Sequence, residues 1–267
     1  MHKQRIISSL IMAGIVIAVL MLPGIFFTLC LTIIIGLGLN ELFQMFQARK
    51  FLDNSKAVSI TAGVLIPFFF YLSTLGNEHW SLLGIVFVIL GLSLYQCLRQ
   101  EKHQALMNLA VVVLGILYLS FNMSFMIKIR MMDSGTALLL YVLLTAKSGD
   151  IGAYFIGTHF GKHKLLPRLS PKKTIEGALA GLISSIVVSI IAATFFFPEL
   201  GFAQRGFLGF FLGVLAQAGD LIESLIKRDC EVKDSGVFAP GYGGVLDVLD
   251  SVIFIIPAFY FYLVMWR

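Results

Sequence analysis

Charge is what this sequence has least of. Lys, Arg, Asp and Glu together make up 13% of its 267 residues, whereas soluble domains average about 25%. Hydrophobic residues make up 58%, and the mean hydropathy is +0.91. A soluble protein of this length could not cover its surface with so few charged side chains. The composition therefore excludes a soluble globular protein and predicts an all-α polytopic integral membrane protein.

Several motifs typical of metal sites, disulfide frameworks and other enzyme classes are also missing. The three cysteines, Cys30, Cys97 and Cys230, lie far apart and form no CxxC pair, which argues against a thiolate zinc site and against a disulfide framework. The sequence has no GxxxxGK[ST] match and no HExxH match, so neither P-loop chemistry nor zinc-protease chemistry is indicated. No nucleic-acid partner is expected.

Apolar runs of the length that crosses a bilayer, about 20 residues, occupy most of the chain. The sequence predicts nine transmembrane helices, at approximately Ile6–Leu22, Gly24–Phe46, Ala57–Leu75, Trp80–Leu98, Ala105–Ile127, Gly135–Thr158, Gly177–Phe197, Gly206–Ile226 and Val245–Trp266. The first run is too long for a signal peptide and has no cleavage site, so we interpret it as a retained span. Its boundary at Pro23-Gly24 could alternatively be a kink within one helix.

The Lys and Arg residues predict the orientation. With nine spans and a cytoplasmic N-terminus, fifteen of the twenty lie in or beside cytoplasmic segments and four lie on the outer side. This asymmetry agrees with the positive-inside rule and predicts an outer C-terminus. We expect a multi-pass protein of the inner (plasma) membrane whose motif loops face the cytoplasm.

The acidic residues inside spans separate the chain into two halves. A charged side chain at the centre of a membrane helix costs about 2.5–3.5 kcal/mol on insertion scales, so such residues are functional candidates. In the first five spans the one acidic residue is Glu41, near the inner end of its helix. The last four spans contain Asp150, Asp220, Glu223, Asp247 and Asp250. We predict a transmembrane scaffold in residues 1–134 and a catalytic region in residues 135–267.

The spacing of these polar residues puts them on common helix faces. One face, at i, i+3, i+4 and i+7, contains Asp220, Glu223, Ser224 and Lys227. A second face, at i, i+3 and i+4, contains Asp247, Asp250 and Ser251. Clustered carboxylates stay ionised if a hard cation lies among them, and Mg²⁺ prefers carboxylates together with phosphate oxygens. The alternative is ion-paired helix packing, for example between Asp220 and Lys227 or between Asp150 and Lys147.

Two basic inner loops complement the acids. Lys172 and Lys173 stand just before a helix whose N-terminal region includes Thr174, an arrangement that favours phosphate binding, although the positive-inside rule alone also explains basic loops. The second loop combines charged residues with glycines, which allow a backbone to approach a ligand. Its members are Lys227, Arg228, Lys233, Asp234, Gly236, Gly241, Gly243 and Gly244.

The segment from Ser224 to Asp250 resembles the signature of phosphatidate cytidylyltransferases. The residues in register are Ser224, Lys227, Arg228, Lys233, Asp234, Gly236, Phe238, Gly243, Gly244, Asp247 and Asp250. The SPKKTIEG segment and the stretch from Asp150 also resemble family segments, so that the similarity covers roughly residues 145–255. Tyr242 stands where the family has histidine and Val248 where it has arginine, which suggests an altered phosphate contact.

The resemblance implies the reaction of CTP with phosphatidate to give CDP-diacylglycerol and pyrophosphate. It implies Mg²⁺ held by Asp220, Asp247 and Asp250, with a second cation left open. Lys227 and Arg228 would act with these aspartates in catalysis. The implied substrate-binding residues are Lys172, Lys173, Ser224, Lys233, Asp234, Gly243, Gly244, Asp150 and Glu223. A homodimer embedded in membrane lipid is also implied.

Two alternative functions stay open at this point. A related CTP-dependent enzyme could act on another lipid, as an isoprenoid-alcohol kinase or a CDP-archaeol synthase does. An ion-coupled transporter could also place acids in its spans, but it predicts midplane acids on broken helices in two matching halves. Here the acids cluster near one end of one half.

Overall fold

A computed structural model of the chain describes residues 2–53, 55–99, 104–237 and 243–266. Most of the described chain is helical, and the helices are α1 (His2–Met21), α2 (Gly24–Ala48), α3 (Lys56–Ser73), α4 (His79–Arg99), α5 (Ala105–Gly115), α6 (Asn122–Arg130), α7 (Gly135–Phe160), α8 (Ile175–Phe196), α9 (Phe202–Asp229), α10 (Val245–Ile253) and α11 (Ile255–Trp266). A π-helical segment, Ile116–Phe121, joins α5 to α6.

Within the described residues, eight helical stretches are long and apolar enough to cross a membrane. They correspond to the last eight predicted spans and confirm an all-α polytopic membrane protein. Helix α1 ends at Met21 and α2 begins at Gly24, so Pro23 separates two helices. The apolar part of α1 is shorter, Ile11–Met21, and the count of nine spans stays a prediction.

One segment departs from the all-α expectation. Strands β1 (Lys164–Leu166) and β2 (Ser170–Thr174) form an antiparallel hairpin in which Lys164 lies opposite Thr174. The Thr174 hydroxyl then accepts a hydrogen bond of 3.2 Å from the N–H of Gly177, which caps the start of α8. Lys172 and Lys173 therefore lie on a strand that leads directly into a capped helix.

The chain forms two compact units. Unit 1 comprises residues 1–133 and 230–248, and unit 2 comprises residues 134–229 and 249–267. The chain thus leaves unit 2 after α9 and returns to it within α10. The division of roles predicted for residues 1–134 and 135–267 stays a prediction, but the glycine-rich motif segment packs with the N-terminal spans.

Unit 1 has an apolar core built on α2. Its large buried side chains include Phe27, Ile35 and Phe43, all at most 1% exposed. Between α3 and the π-helical segment, the Ser120 hydroxyl donates a 2.6 Å hydrogen bond to the carbonyl of Gly63. Such buried polar contacts join helices in a membrane, where apolar side chains gain little by leaving lipid.

Unit 2 is organised by close packing of α7 against α8. A Cβ added to Gly181 would lie 2.8 Å from the carbonyl oxygen of Gly149, and one added to Gly149 would lie 2.5 Å from the hydroxyl of Ser185. Only small residues allow two helix backbones to come this close. The contact fixes the part of α7 that carries Asp150.

Candidate active site

Three carboxylates come together in unit 2. Asp220 and Glu223 lie one helical turn apart on α9, and Asp250 lies on α10. Each can offer one oxygen such that the three oxygens lie within 4.8 Å of one another. Gly219 makes this possible, because a Cβ there would collide with the carbonyl oxygen of Asp250. The predicted association of Asp220 with Asp250 is therefore present, and Glu223 joins them.

Two lysines pair with this carboxylate cluster. Lys173 Nζ on β2 lies 2.5 Å from Asp220 Oδ2, with both side chains about one-third or less exposed. Lys227 Nζ lies 2.8 Å from Glu223 Oε2, and Glu223 is completely buried. The alternative of ion-paired helix packing had matched Lys227 with Asp220. The structure pairs Lys227 with Glu223 instead, because residues four apart face each other on a helix.

Asp150 belongs to a second polar contact in unit 2. Lys147 Nζ lies 3.0 Å from Asp150 Oδ2 and 2.8 Å from the hydroxyl of Ser251. That hydroxyl donates to Asp150 Oδ2 at 3.1 Å. Because Ser251 follows Asp250, these bonds attach α7 to the part of α10 that carries the carboxylate cluster. The Lys147–Asp150 ion pair, which the alternative of ion-paired helix packing had named, is therefore present, and the substrate role of Asp150 stays a prediction.

The hairpin that carries Lys172 and Lys173 is anchored at both ends. Arg228 Nε donates to the carbonyl of Leu169, just before β2. Glu176 accepts hydrogen bonds from the backbone N–H groups of Lys162 and His163 and contacts the His163 ring at 2.6 Å. Lys172 is exposed, whereas Lys173 is partly buried against Asp220.

Asp247 lies in unit 1, in the first turn of α10. Its Oδ2 accepts hydrogen bonds from the N–H of Ser235 at 2.8 Å, the hydroxyl of Ser235 at 2.9 Å and the N–H of Gly244 at 2.7 Å. Gly243 has φ of +83°, and a Cβ there would collide with the Asp247 carboxylate. These glycines therefore have a reason within the chain itself, while their contact with a substrate stays a prediction.

Sequence reasoning gave no role to Glu41. Its carboxylate accepts hydrogen bonds from the Ser235 hydroxyl at 2.9 Å and from the N–H groups of Val245 and Leu246 at 2.9 and 3.0 Å. The sequence does contain an indication of a role, because Glu41 is the one acidic residue in the first five predicted spans.

The remaining predicted residues are spread along the motif. Ser224 is buried on α9, while Lys233 and Asp234 are exposed in the segment that follows. Tyr242 and Phe238 lie outside the residues that the structure describes, as does Gly241. Val248 ends the unit 1 part of α10. The substrate roles of these residues stay predictions.

The carboxylate cluster has the chemistry that a hard divalent cation requires. All three potential ligands are carboxylate oxygens, which suit Mg²⁺. Zinc sites typically use nitrogen and sulfur ligands as well. The set differs from the predicted ligands Asp220, Asp247 and Asp250, because it includes Glu223 and does not include Asp247. Lysines beside the same carboxylates could contact phosphate oxygens next to a bound cation. This combination suits a metal-bound polyphosphate.

Comparison with known proteins agrees with this chemistry. The Cytidylyltransferase family matches residues 3–266. A phosphatidate cytidylyltransferase of Synechocystis sp. is 31% identical over 293 residues, covering 99% of this chain and 97% of the relative. One from Bacillus subtilis is 33% identical over 273 residues, covering 99% and 98%, and one from Staphylococcus saprophyticus is 30% identical, covering 96% of each chain.

These matches extend far beyond the segment that carried the resemblance. The first five spans, which resembled the family only in being hydrophobic, are included in the family match and in the matches to the relatives. The resemblance is thereby confirmed over nearly the whole chain. Because the family and its curated members match it from end to end, the chain belongs to the cytidylyltransferase family.

Proposed function

We propose that this chain transfers the cytidylyl group of CTP to phosphatidate, forming CDP-diacylglycerol and pyrophosphate. The observation that carries the proposal is the cluster of Asp220, Glu223 and Asp250, with Lys173 and Lys227 paired to two of its members. Its relatives that share nearly its full length are phosphatidate cytidylyltransferases. The alternative acceptors and the transporter alternative have no comparable support.

The reaction needs charge neutralisation more than it needs a base. A phosphate oxygen of phosphatidate attacks the α-phosphorus of CTP, the bond from that phosphorus to the bridging oxygen breaks, and pyrophosphate leaves with the bond electrons. The attacking oxygen is already anionic, so no strong general base is required. Catalysis then consists of positioning the two phosphates and stabilising the charge on the leaving group.

Asp220, Asp250 and Glu223 would hold Mg²⁺, with Asp247 as the further predicted ligand. When bound, Mg²⁺ supplies positive charge to the phosphate oxygens of CTP. The neighbouring lysines have a matching task. Lys173 can exchange its contact with Asp220 for a phosphate oxygen, because both partners remain partly exposed.

The other basic residues would bind the remaining phosphate charge. Lys227, buried beside Glu223, would face the reacting phosphates, whereas the exposed Lys172 and Lys233 would attract the anionic substrates. Arg228 would orient the hairpin through its bond to Leu169 as well as contact phosphate. Further substrate contacts are proposed for Ser224, Asp234, Asp150, Gly243 and Gly244.

The membrane arrangement is part of the proposal. The 20 residues of α1 would span about 30 Å at 1.5 Å per residue, enough to act as a ninth transmembrane helix. With the N-terminus in the cytoplasm, the Lys and Arg asymmetry puts the motif loops on the cytoplasmic face of the plasma membrane. CTP would reach the site from the cytoplasm and phosphatidate from the inner leaflet. We also propose the homodimer that the family resemblance implies.

The test is a direct assay of the purified chain in detergent. It should convert labelled CTP and phosphatidate into CDP-diacylglycerol in the presence of Mg²⁺, and EDTA should stop the reaction. An isoprenoid alcohol offered in place of phosphatidate should give no product. Phosphorylation of that alcohol without formation of CDP-diacylglycerol would overturn the proposal in favour of a lipid kinase.

A further inference from the structure

We infer that Glu41, on a helix outside the motif region, is a positioning residue for the cytidylyl transfer. Its carboxylate fixes the start of α10 and thereby the orientation of Asp247. This inference rests on the proposed function for its catalytic consequence, whereas the contacts themselves lie wholly within unit 1. It gives the N-terminal spans a task in the reaction beyond holding the chain in the membrane.

Glu41 caps the start of α10. Val245 and Leu246 are the first two residues of that helix, and N–H groups in a first turn have no partners within the helix. Glu41 Oε1 accepts from Val245 and Glu41 Oε2 accepts from Leu246. A carboxylate is well suited to this position, because the helix dipole favours negative charge there. The cap comes from a residue about 200 positions earlier in the chain.

The surrounding glycines leave room for the Glu41 carboxylate. A Cβ added to Gly236 would lie 2.7 Å from Glu41 Oε1, and one added to Gly244 would collide with Glu41 and with the Ser235 hydroxyl. The φ of each of these two residues is one that other residues adopt, so backbone conformation does not explain them. The need for glycine at both positions follows from the presence of a carboxylate between them.

One hydroxyl, that of Ser235, lies between Glu41 and Asp247. Ser235 Oγ lies 2.9 Å from Glu41 Oε2 and 2.9 Å from Asp247 Oδ2. A hydroxyl has a single hydrogen, so Ser235 can donate to only one carboxylate at a time. The other carboxylate is then held by backbone N–H groups alone. These are the N–H groups of Val245 and Leu246 for Glu41, and those of Ser235 and Gly244 for Asp247.

A change at Glu41 should therefore alter the geometry of Asp247 without removing any substrate contact. In Glu41→Gln the side chain keeps its size, but an NH₂ group replaces one acceptor and faces a backbone N–H. The start of α10 should loosen. Small displacements of catalytic groups can lower rates by about 100-fold, so we expect kcat to fall by about 10- to 100-fold while the KM for CTP changes little.

The experiment measures two quantities on the full-length chain in detergent. The first is kcat and KM for CDP-diacylglycerol formation. The second is hydrogen–deuterium exchange of the peptide containing Val245 and Leu246, which should be about tenfold faster in Glu41→Gln once the cap is lost. Glu41→Asp, which keeps the charge on a shorter side chain, should recover part of both. Gly236→Ala should reproduce the Glu41→Gln effect by displacing the carboxylate.

Asp53→Asn is the matched control. Asp53 is also a partly buried carboxylate of unit 1, where it pairs with Arg99 at 2.6 Å and accepts from Asn108. Loss of the negative charge at position 53 should lower thermal stability, yet leave both kcat and hydrogen–deuterium exchange at Val245 and Leu246 unchanged. If the role of Glu41 were purely structural, Glu41→Gln would lower thermal stability and leave kcat unchanged, as expected for Asp53→Asn.

Unchanged exchange in Glu41→Gln would overturn the cap. Faster exchange with wild-type kcat would overturn the positioning role. A wild-type chain that forms no CDP-diacylglycerol would overturn the proposed function and, with it, the catalytic consequence of Glu41, while exchange would still decide whether the cap exists.

Discussion

Two groups of carboxylates in this protein are stabilised in different ways. In the lysine-paired group, Asp220 and Glu223 bind Lys173 and Lys227. In the amide-held group, Glu41 and Asp247 are bound by Ser235 and by backbone N–H groups. Acidic residues in or beside membrane helices are costly unless paired, and both arrangements meet that requirement.

The difference bears on function. A lysine side chain is flexible and can exchange a carboxylate for a phosphate, so the lysine-paired group suits the binding of substrate and cation. Backbone N–H groups at a helix start cannot move without moving the helix. The amide-held group therefore suits the fixing of geometry, which for Asp247 means the orientation of a predicted metal ligand. The first three predictions below test what these two groups contribute, and the last tests the orientation of the chain in the membrane.

The largest effect is expected from Asp247→Asn. This change keeps the shape of the side chain but removes a negative charge and a predicted metal ligand, so turnover should fall by about 10³-fold. The protection against heat that Mg²⁺ and CTP together give the wild type should also disappear, since stabilisation requires binding. Thermal melting with and without Mg²⁺ and CTP, together with the activity assay, measures both.

Asp229→Asn is the control for that prediction, because Asp229 is an exposed carboxylate at the end of α9. It should keep normal activity. Near-normal activity in Asp247→Asn would remove Asp247 from the metal site. A lower melting temperature without ligand, with activity that still rises with Mg²⁺, would assign Asp247 a structural role only.

Breaking the buried pair of the lysine-paired group should lower both stability and activity. Lys227→Met leaves Glu223 buried without its cation, which costs about 3 kcal/mol of folding free energy in comparable pairs. The double variant Lys227→Met with Glu223→Gln should recover most of the lost melting temperature. Its activity should stay low, because both side chains are proposed to face the substrate. Recovery of activity along with stability would contradict a role for this pair in binding.

The strand lysines should differ from each other. Lys173→Ala removes the cation next to Asp220 and should lower kcat/KM for CTP by about 10- to 100-fold, as expected for a lost charged hydrogen bond of about 1.5–3 kcal/mol. Lys172→Ala is the matched control on the same strand, and its exposed side chain should contribute less. Equal, small effects would indicate that the loop serves as a topology signal alone.

The last prediction involves the smallest change in activity. It concerns the orientation of the chain in the membrane and is tested by cysteine labelling. In a chain with its three native cysteines replaced, Lys164→Cys and Val237→Cys should stay unlabelled by an impermeant reagent in intact cells. Val237 is 99% exposed, so its accessibility depends only on the side of the membrane. Glu199→Cys, in a loop predicted to be outside, should react. Labelling at position 164 or 237 would overturn the nine-span arrangement.

Much of the fold could be predicted from the sequence. The apolar runs correctly predicted the eight long membrane helices seen in the described part of the chain, and Pro23-Gly24 marked the end of α1. The i, i+3 spacing predicted that Asp220 and Glu223 share a helix face. The predicted magnesium site grouped Asp220 with Asp250, although it named Asp247 rather than Glu223 as the third ligand. The β1–β2 hairpin was not predicted, because five residues that include Pro171 and two lysines give no alternating apolar pattern.

The partners of the acidic residues could not be read in the same way. Spacing on one helix allowed Lys227 to face either Glu223 or Asp220, and packing decided for Glu223. The contact between Glu41 and the start of α10 spans about 200 residues, and no local pattern encodes so distant a contact. Gly244 indicated that another group lies close to the backbone at this position. The sequence did not indicate that this group is a carboxylate of the chain itself.

The sequence by itself determined the membrane-spanning helices, the set of acidic and basic residues and the family resemblance, because hydrophobic length and residue identity are local properties. Only the tertiary structure decided which cation lies beside which carboxylate and which helix caps α10. Those pairings depend on backbones brought together by small residues such as Gly219 and Gly244. The distance between two helices is a property of the packed chain and cannot be read from either helix alone. For this reason acidic residues that look alike in the sequence form one group paired with lysines and another held by backbone amides.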